Sequence, residues 1–245
     1  MNNKQEPGGS ILIIGGTSAY HLDLEKYGRI KRTERYSTVA GISSEVVQII
    51  TPTGDSIYFI SRHGLKSLAF IPSSVNYAAN IEAAKLLNIK WVFSWNGVGA
   101  INRLLKVNDL VIPSALADFT KTRNVTVFPN LIYPFDERGR VFLFQAAKSN
   151  KKRVFPGTYV CTEGPHLETK GEIDLFSRYR IDIVGMTLSP EAWLASQAGM
   201  AYASLAIVTN LATGIEIENR KSTDFSKYVG ELGMKICLEA ANFIK

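Results

Sequence analysis

Short apolar runs separated by segments of helical period constrain this chain more than any other feature. The runs Ile11–Ile14, Ile57–Ser61, Trp91–Ser94, Leu110–Ile112, Gly157–Thr162, Ile181–Val184 and Tyr202–Thr209 have the length and composition of strands. Several are followed by stretches in which apolar residues recur every three or four positions. That alternation is how strands feeding helices around a largely parallel or mixed sheet look in sequence. Helices are expected over 75–87, 168–179 and 190–198, the last opened by Ser189 as N-cap with Pro190 at the first helical position. Near the C-terminus Phe225, Val229, Leu232, Ile236, Ala240 and Phe243 trace one face of an amphipathic helix that Asp224 is placed to cap. Thr120 to Gly139, with Pro129 and Pro134, reads as a long irregular excursion of the kind that serves active sites or oligomer contacts.

With 245 residues and 46% hydrophobic content, the chain can bury a large core as one domain over 1–245, with residues 1–9 expected as a flexible tail. Lys and Arg number 28 against 22 Asp and Glu, a net charge of +6 that decides nothing alone. The basic clusters Arg29 to Arg35 and Lys148 to Arg153 have no interleaved aromatics, so solvated faces are expected and nucleic acid is not a partner. Cys161 and Cys237 lie far apart without metal or redox spacing and read as buried thiols. His21, His63 and His166 are the only histidines, too few for metal clusters, and no metal is expected. No basic start leads into an apolar segment and no run approaches bilayer length, so the expectation is a cytoplasmic protein without a membrane partner.

Ligands of open α/β sheets sit beyond the C-terminal ends of the strands, and polar residues recur at those ends here. GGTSAY follows the first run, where glycines bring backbone N–H groups to an anion and Thr17 or Ser18 adds a hydroxyl. It is neither a dinucleotide fingerprint nor a P-loop, and a plain strand-to-helix turn is the simpler alternative. SRHG supplies Arg62, whose planar fork suits a phosphate bidentately, and His63, able to donate to the same anion. A surface salt bridge is the alternative for Arg62. WNGVGA ends a run on Asn96 and Gly97, and its Gly97 and Gly99 lie where the backbone can approach a ligand closely. EGPHLET places Glu168 near a helix start, VGMTLSPEA adds Met186 as an adaptable apolar contact and Thr187 as a hydroxyl, and TNLATG ends a strand on Asn210. Each has a bland reading as a cap, turn or core residue.

Taken in order, GGT, RHG, VNYAANI, NGVGA, GTYVCTEGPHLET, VGMT with PEA, and TNLATG resemble the trimeric purine nucleoside phosphorylase and methylthioadenosine phosphorylase family from about Ile11 to Gly214. The resemblance implies a single-domain, three-layer α/β/α fold around a mixed, partly barrel-like sheet. It also implies a purine nucleoside substrate, inorganic phosphate as co-substrate, no cofactor, and a homotrimer or a hexamer built as a dimer of trimers. Carried over residue by residue, Thr17, Arg62, His63, the backbone at Asn96 and Gly97, and Thr187 match the phosphate site. Met186 matches the residue under the ribose. Glu168 and Asn210 match the base-recognising pair of the 6-oxopurine branch, with His63, Glu168 and Asn210 in catalytic roles. Leu167 flanks the base, and Phe128 resembles the residue lent by a neighbouring subunit.

These matches imply phosphate-dependent cleavage of inosine and guanosine to a free base and ribose 1-phosphate, in purine salvage. The methylthioadenosine branch carries a serine where Glu168 stands and aspartates in its last motif, which opposes the rival assignment as a methylthioadenosine or methylthioinosine phosphorylase. The segment LKSLAFI after Gly64 lacks a second histidine common in that branch and is one residue longer. The altered segment motivates a reading of another class, a nucleoside-binding protein without catalysis. No histidine of the C-terminal helix greets a 5′-hydroxyl, and Phe225 or Tyr228 could line a pocket for a 5′-methylthio group.

Overall fold

Leu12 and Ile14 enter one apolar cluster and Ile13 another, so the first strand is buried on both faces and the sheet around it must be covered twice. The computed structural model describes residues 10–16, 18–120, 133–215 and 223–244, the last from its backbone alone over 223–225. The first half contains β1 (Ser10–Gly15), β2 (Arg29–Glu34), β3 (Ser37–Thr38), β4 (Gly41–Ile42), β5 (Val46–Ile50), β6 (Ser56–Ser61), α1 (Tyr77–Leu86) and β7 (Ile89–Ala100). The second half contains β8 (Leu110–Asp118), α2 (Glu137–Ser149), β9 (Val154–Cys161), α3 (Lys170–Arg178), β10 (Ile183–Gly185), α4 (Leu188–Gln197), β11 (Ala201–Leu211) and α5 (Thr223–Ala241).

The main sheet runs β2-β5-β6-β1-β7-β11-β8-β9-β10, and β10 pairs back onto β7. That last pairing closes β7, β11, β8, β9 and β10 into a five-stranded barrel, while β1, β6, β5 and β2 continue outward as an open sheet. The hinge between the two parts is β7. Its first half pairs in parallel with β1 (Trp91 to Trp95), and its end pairs antiparallel with β10, Gly99 with Val184 and Ala100 with Ile183. β11 follows β7 in parallel along its length and bulges between Val208 and Asn210. β3 and β4 form a separate two-stranded hairpin.

Helices cover both faces. α1 and α4 supply Ile81, Ala84, Leu188 and Ala192 to the cluster that holds Leu12 and Ile14. α2 and α5 supply Leu143, Ala147, Leu232 and Ile236 to the cluster that holds Ile13, Phe93 and Trp95. The layers are therefore α/β/α, and α3 closes the barrel's outer side with Ile173 and Phe176 against Val160 and Val184. Local chemistry fixes the helix starts: Asn76 accepts from the Ala79 N–H at 3.1 Å, Asp136 accepts from Gly139 at 2.9 Å, and Thr169 forms a reciprocal capping box with Glu172. Among the described residues no helix is long and apolar enough to cross a membrane.

All seven expected strands are present, and the structure adds to and corrects the sequence reading elsewhere. β2 and β5 were absent from it, as was α2, which begins in the last three residues of the supposed irregular excursion and runs beyond it; residues 121–132 of that excursion lie outside the described set. Glu168 stands before α3 rather than within it, because Thr169 takes the cap. Ser189 keeps an extended backbone (φ −97°, ψ 133°), so regular helix begins at Pro190 as expected. Asp224 falls inside α5, which starts one residue earlier. Both cysteines are buried thiols outside any disulfide, and the Arg29 to Arg35 cluster lies mostly on the exposed edge strand β2.

Candidate active site

The barrel closure brings distant segments to one place. Because β10 runs antiparallel to the end of β7, the residues that follow it head back along β7, and Thr187 arrives beside Asn96. The amide of Asn96 donates to Thr187 Oγ1 at 3.2 Å and to the Tyr159 hydroxyl at 2.9 Å, which ties β7, β9 and the segment after β10 together. Burial pushes the Tyr159 phenol well above its ordinary pKa, so it stays a neutral hydrogen-bonding group. His63, Asn96, Gly97 and Thr187 line the same cavity as Leu167, Glu168, Met186 and Asn210. Pro72, from the segment after Gly64, lines it as well, while the Ala69 and Phe70 N–H groups of that segment fold back onto the His63 carbonyl at 2.7 and 3.1 Å.

Arg62, which precedes the cavity residue His63, differs from its sequence reading. The guanidinium is wholly buried, and its Nε and Nη2 edge donates to the two oxygens of Glu191 at 2.8 and 2.7 Å. The bidentate edge is thus committed to a carboxylate of the chain itself, and the pairing is internal rather than at the surface. Nη1 remains, 3.4 Å from the Trp95 carbonyl and facing Gly16, where an added Cβ would approach to 3.0 Å. Burial alone lowers the Arg62 pKa, but the charge and hydrogen bonds of Glu191 outweigh it and hold the cation firmly protonated. Glu191 also accepts from the Tyr202 hydroxyl at 2.8 Å, and Tyr202 meets Ser94 at 2.7 Å. The PEA motif contained this carboxylate, yet a Glu in a helix's first turn reads as a dipole partner, and nothing in sequence links it to Arg62.

His63 also corrects its expectation. Its Nδ1 lies 2.9 Å from the Phe70 carbonyl, which can only accept, so Nδ1 carries the proton. Burial first, then the neighbouring Arg62 charge, lowers its pKa to about 4 against the weaker upward pull of Phe70. The neutral ring therefore offers Nε2 as an acceptor, for a hydroxyl or a protonated anion oxygen, rather than as the donor expected from sequence.

On the other wall, Glu168 is buried and its Oε1 accepts from Thr162 Oγ1 at 2.6 Å. Asn210 is exposed; its Oδ1 accepts from Thr209 Oγ1 at 2.9 Å and its Nδ2 donates to the Leu211 carbonyl at 2.9 Å, leaving one amide hydrogen. Leu167 is exposed at the cavity's rim. Gly164 has a φ of +68°, and a Cβ there would lie 2.5 Å from Met186 Sδ, so glycine is what lets Met186 reach the wall. Thr162 and Thr209 were not singled out in sequence, and hydroxyls beside polar motif residues give no signal of their own.

Gly16 precedes Thr17, which lies outside the described residues, as does Phe128. Ser18 follows with a left-handed backbone, and its hydroxyl meets that of Ser226 in α5 at 2.7 Å. Tyr228 does not line the cavity; its hydroxyl lies 2.6 Å from Lys152 Nζ. Nothing is described of the Phe225 side chain.

This arrangement can hold a small anion near buried positive charge and a polar planar ring between a carboxylate and an amide. The family described as the phosphorylase superfamily matches residues 10–244. A 6-oxopurine nucleoside phosphorylase of Pyrococcus furiosus is 34% identical over 246 residues, covering 89% of this chain and 90% of its own. An S-methyl-5′-thioadenosine phosphorylase of Saccharolobus solfataricus is 36% identical over 223 residues, covering 87% and 81%. Among solved structures, methylthioadenosine phosphorylase from Schistosoma mansoni in complex with tubercidin superimposes with a TM-score of 0.85 at 26% identity, covering 96% of this chain and 92% of that one.

Proposed function

The chain belongs to the phosphorylase superfamily as a nucleoside phosphorylase, a pentosyltransferase, and from that premise we propose that it cleaves 6-oxopurine nucleosides such as inosine and guanosine with inorganic phosphate. The observation that carries the reading is the presence of Glu168 and Asn210 on the wall of the cavity that His63 and Thr187 also line. An ionised carboxylate accepts from the N1–H of hypoxanthine or guanine, and the remaining amide hydrogen of Asn210 donates towards O6 or N7. Adenine presents a lone pair at N1, which faces the same carboxylate unpaired. A mispaired buried polar group costs about 1–3 kcal/mol, enough for roughly tenfold or greater discrimination.

In this reading phosphate sits between Thr17, Nη1 of Arg62, the backbone at Asn96 and Gly97, and Thr187. A phosphate oxygen attacks C1′ as the C1′–N9 bond breaks, and the bonding pair leaves with the purine. Charge grows negative on the base, where Asn210 donates, and positive at the sugar, where the phosphate lies. His63 Nε2 accepts from a hydroxyl of the sugar or of a protonated phosphate. Met186 packs under the ribose and Leu167 beside the base. Phe128 of a neighbouring subunit completes the rim in a homotrimer or a dimer of trimers. No protein nucleophile and no cofactor is needed. Incubation with inosine, with and without phosphate, tests the reading: hypoxanthine and ribose 1-phosphate should form only when phosphate is present, and binding of inosine without turnover would favour a non-catalytic nucleoside-binding protein.

A second substrate assignment, 5′-methylthioadenosine or 5′-methylthioinosine, is favoured by relatives of comparable identity that carry the thioadenosine name. Glu168 weighs against the adenine form and leaves the inosine form as the closer rival.

A further inference from the structure

Glu168 owes its position to a neighbour that no motif reading marked. Thr162 directly follows β9, and its backbone N–H donates to the Gly185 carbonyl at 2.9 Å, which fixes the residue against the end of β10. Threonine is β-branched and holds few side-chain rotamers, so an anchored backbone also aims the hydroxyl. That hydroxyl lies 2.6 Å from Oε1 of Glu168 and 3.5 Å from the Gly185 carbonyl oxygen. It has one hydrogen to give, and the short contact to a carboxylate takes it. From the other side, the Thr169 and Glu172 capping box fixes the chain immediately after Glu168. Among the described residues, no hydrogen bond reaches the second oxygen, Oε2.

We propose that Thr162 is a positioning and specificity-determining residue for the purine base, holding Glu168 by one oxygen so that the other is the preset acceptor for N1–H. The inference rests on the base-recognition reading of Glu168 given above. A carboxylate held at one oxygen cannot turn freely to suit a different hydrogen-bond pattern. Loss of the Thr162 hydroxyl leaves Oε1 buried without its donor, and the carboxylate then reorients or recruits a water. Affinity for a base that donates at N1 falls, whereas a base that cannot donate there has little to lose.

The test is binding of hypoxanthine and of adenine to the wild type, Thr162→Val and Thr162→Ser, by calorimetry, with thermal unfolding of each as the control for folding. The expected result is a wild type that prefers hypoxanthine, a valine variant that loses about tenfold of that affinity with adenine binding little changed, and a serine variant that regains most of it. Kinetics with inosine should show the valine variant's loss chiefly in KM. A valine variant that is folded and retains the wild-type hypoxanthine to adenine ratio overturns the role of Thr162 while leaving the reading of Glu168 standing. A wild type that prefers adenine overturns both. Should the valine variant fail to fold, the serine variant and Thr162→Ala decide between the same outcomes.

Discussion

Arg62 presents its Nε and Nη2 to the two carboxylate oxygens of Glu191, at 2.8 and 2.7 Å, and both side chains are buried. The pair joins the end of β6 to the start of α4, so the segment that carries His63 and the helix that follows Thr187 share one ion pair. Replacing Glu191 with leucine strands a buried guanidinium, and the expected cost is about 3–5 kcal/mol of stability. Urea unfolding checks it, and a loss under about 1 kcal/mol would show that Arg62 finds another partner.

His63 ties folding to pH. Its pKa is lowered from the ordinary 6.5 to about 4 by burial and by Arg62, so the folded protein resists a proton that the unfolded chain accepts. Its contribution is fully present above pH 6.5 and is lost as pH falls through 6.5 towards 4. Between pH 7 and pH 4.5 that amounts to about 2–3 kcal/mol. Unfolding free energies at the two pH values should therefore drop more steeply for the wild type than for His63→Gln, and parallel profiles would contradict the assignment.

Gly16 tests the closeness of the first loop to the proposed phosphate site. A Cβ there would come within 2.6 Å of the Trp95 carbonyl, a backbone atom that cannot swing away. Gly16→Ala should push the loop outward and raise KM for phosphate by roughly tenfold while KM for the nucleoside moves less. Equal changes in both would point to general disruption.

Glu168→Gln keeps the shape and replaces the acceptor by an amide that can also donate. Turnover of inosine should fall by about tenfold or more, and the ratio of inosine to adenosine turnover should shrink towards one. An unchanged ratio would remove Glu168 from base recognition.

The sequence made the barrel strands and the site's outline legible for a common reason. Apolar runs such as Ile181–Val184 and Tyr202–Thr209 end abruptly in glycine or polar residues, and Gly185, Thr187 and Asn210 at those ends line the cavity. The edge strand β2, whose residues are all exposed, has no buried face to impose alternation, so it read as a basic surface cluster. β7 extends well past the expected Trp91–Ser94 because Ser94 and Asn96 are buried, and the Ser94 hydroxyl and the Asn96 Nδ2 find partners in Tyr202, Ser204, Tyr159 and Thr187 that only the fold supplies. The same limit hid Glu191. An arginine suited to phosphate and a glutamate in a helix's first turn look unrelated until β6 and α4 are placed side by side. His63 was found by motif, but its donor or acceptor role depended on the Phe70 carbonyl, seven residues along a turn that no periodicity describes.

The most direct test of the account is the ratio of kcat/KM for inosine to that for 5′-methylthioadenosine, measured with saturating phosphate alongside guanosine, adenosine and 5′-methylthioinosine. A ratio of about ten or more, with inosine and guanosine ahead of adenosine and 5′-methylthioadenosine, is the predicted result. A ratio below one, with 5′-methylthioadenosine ahead of the rest, would contradict the assignment of Glu168 and Asn210 to a 6-oxopurine base.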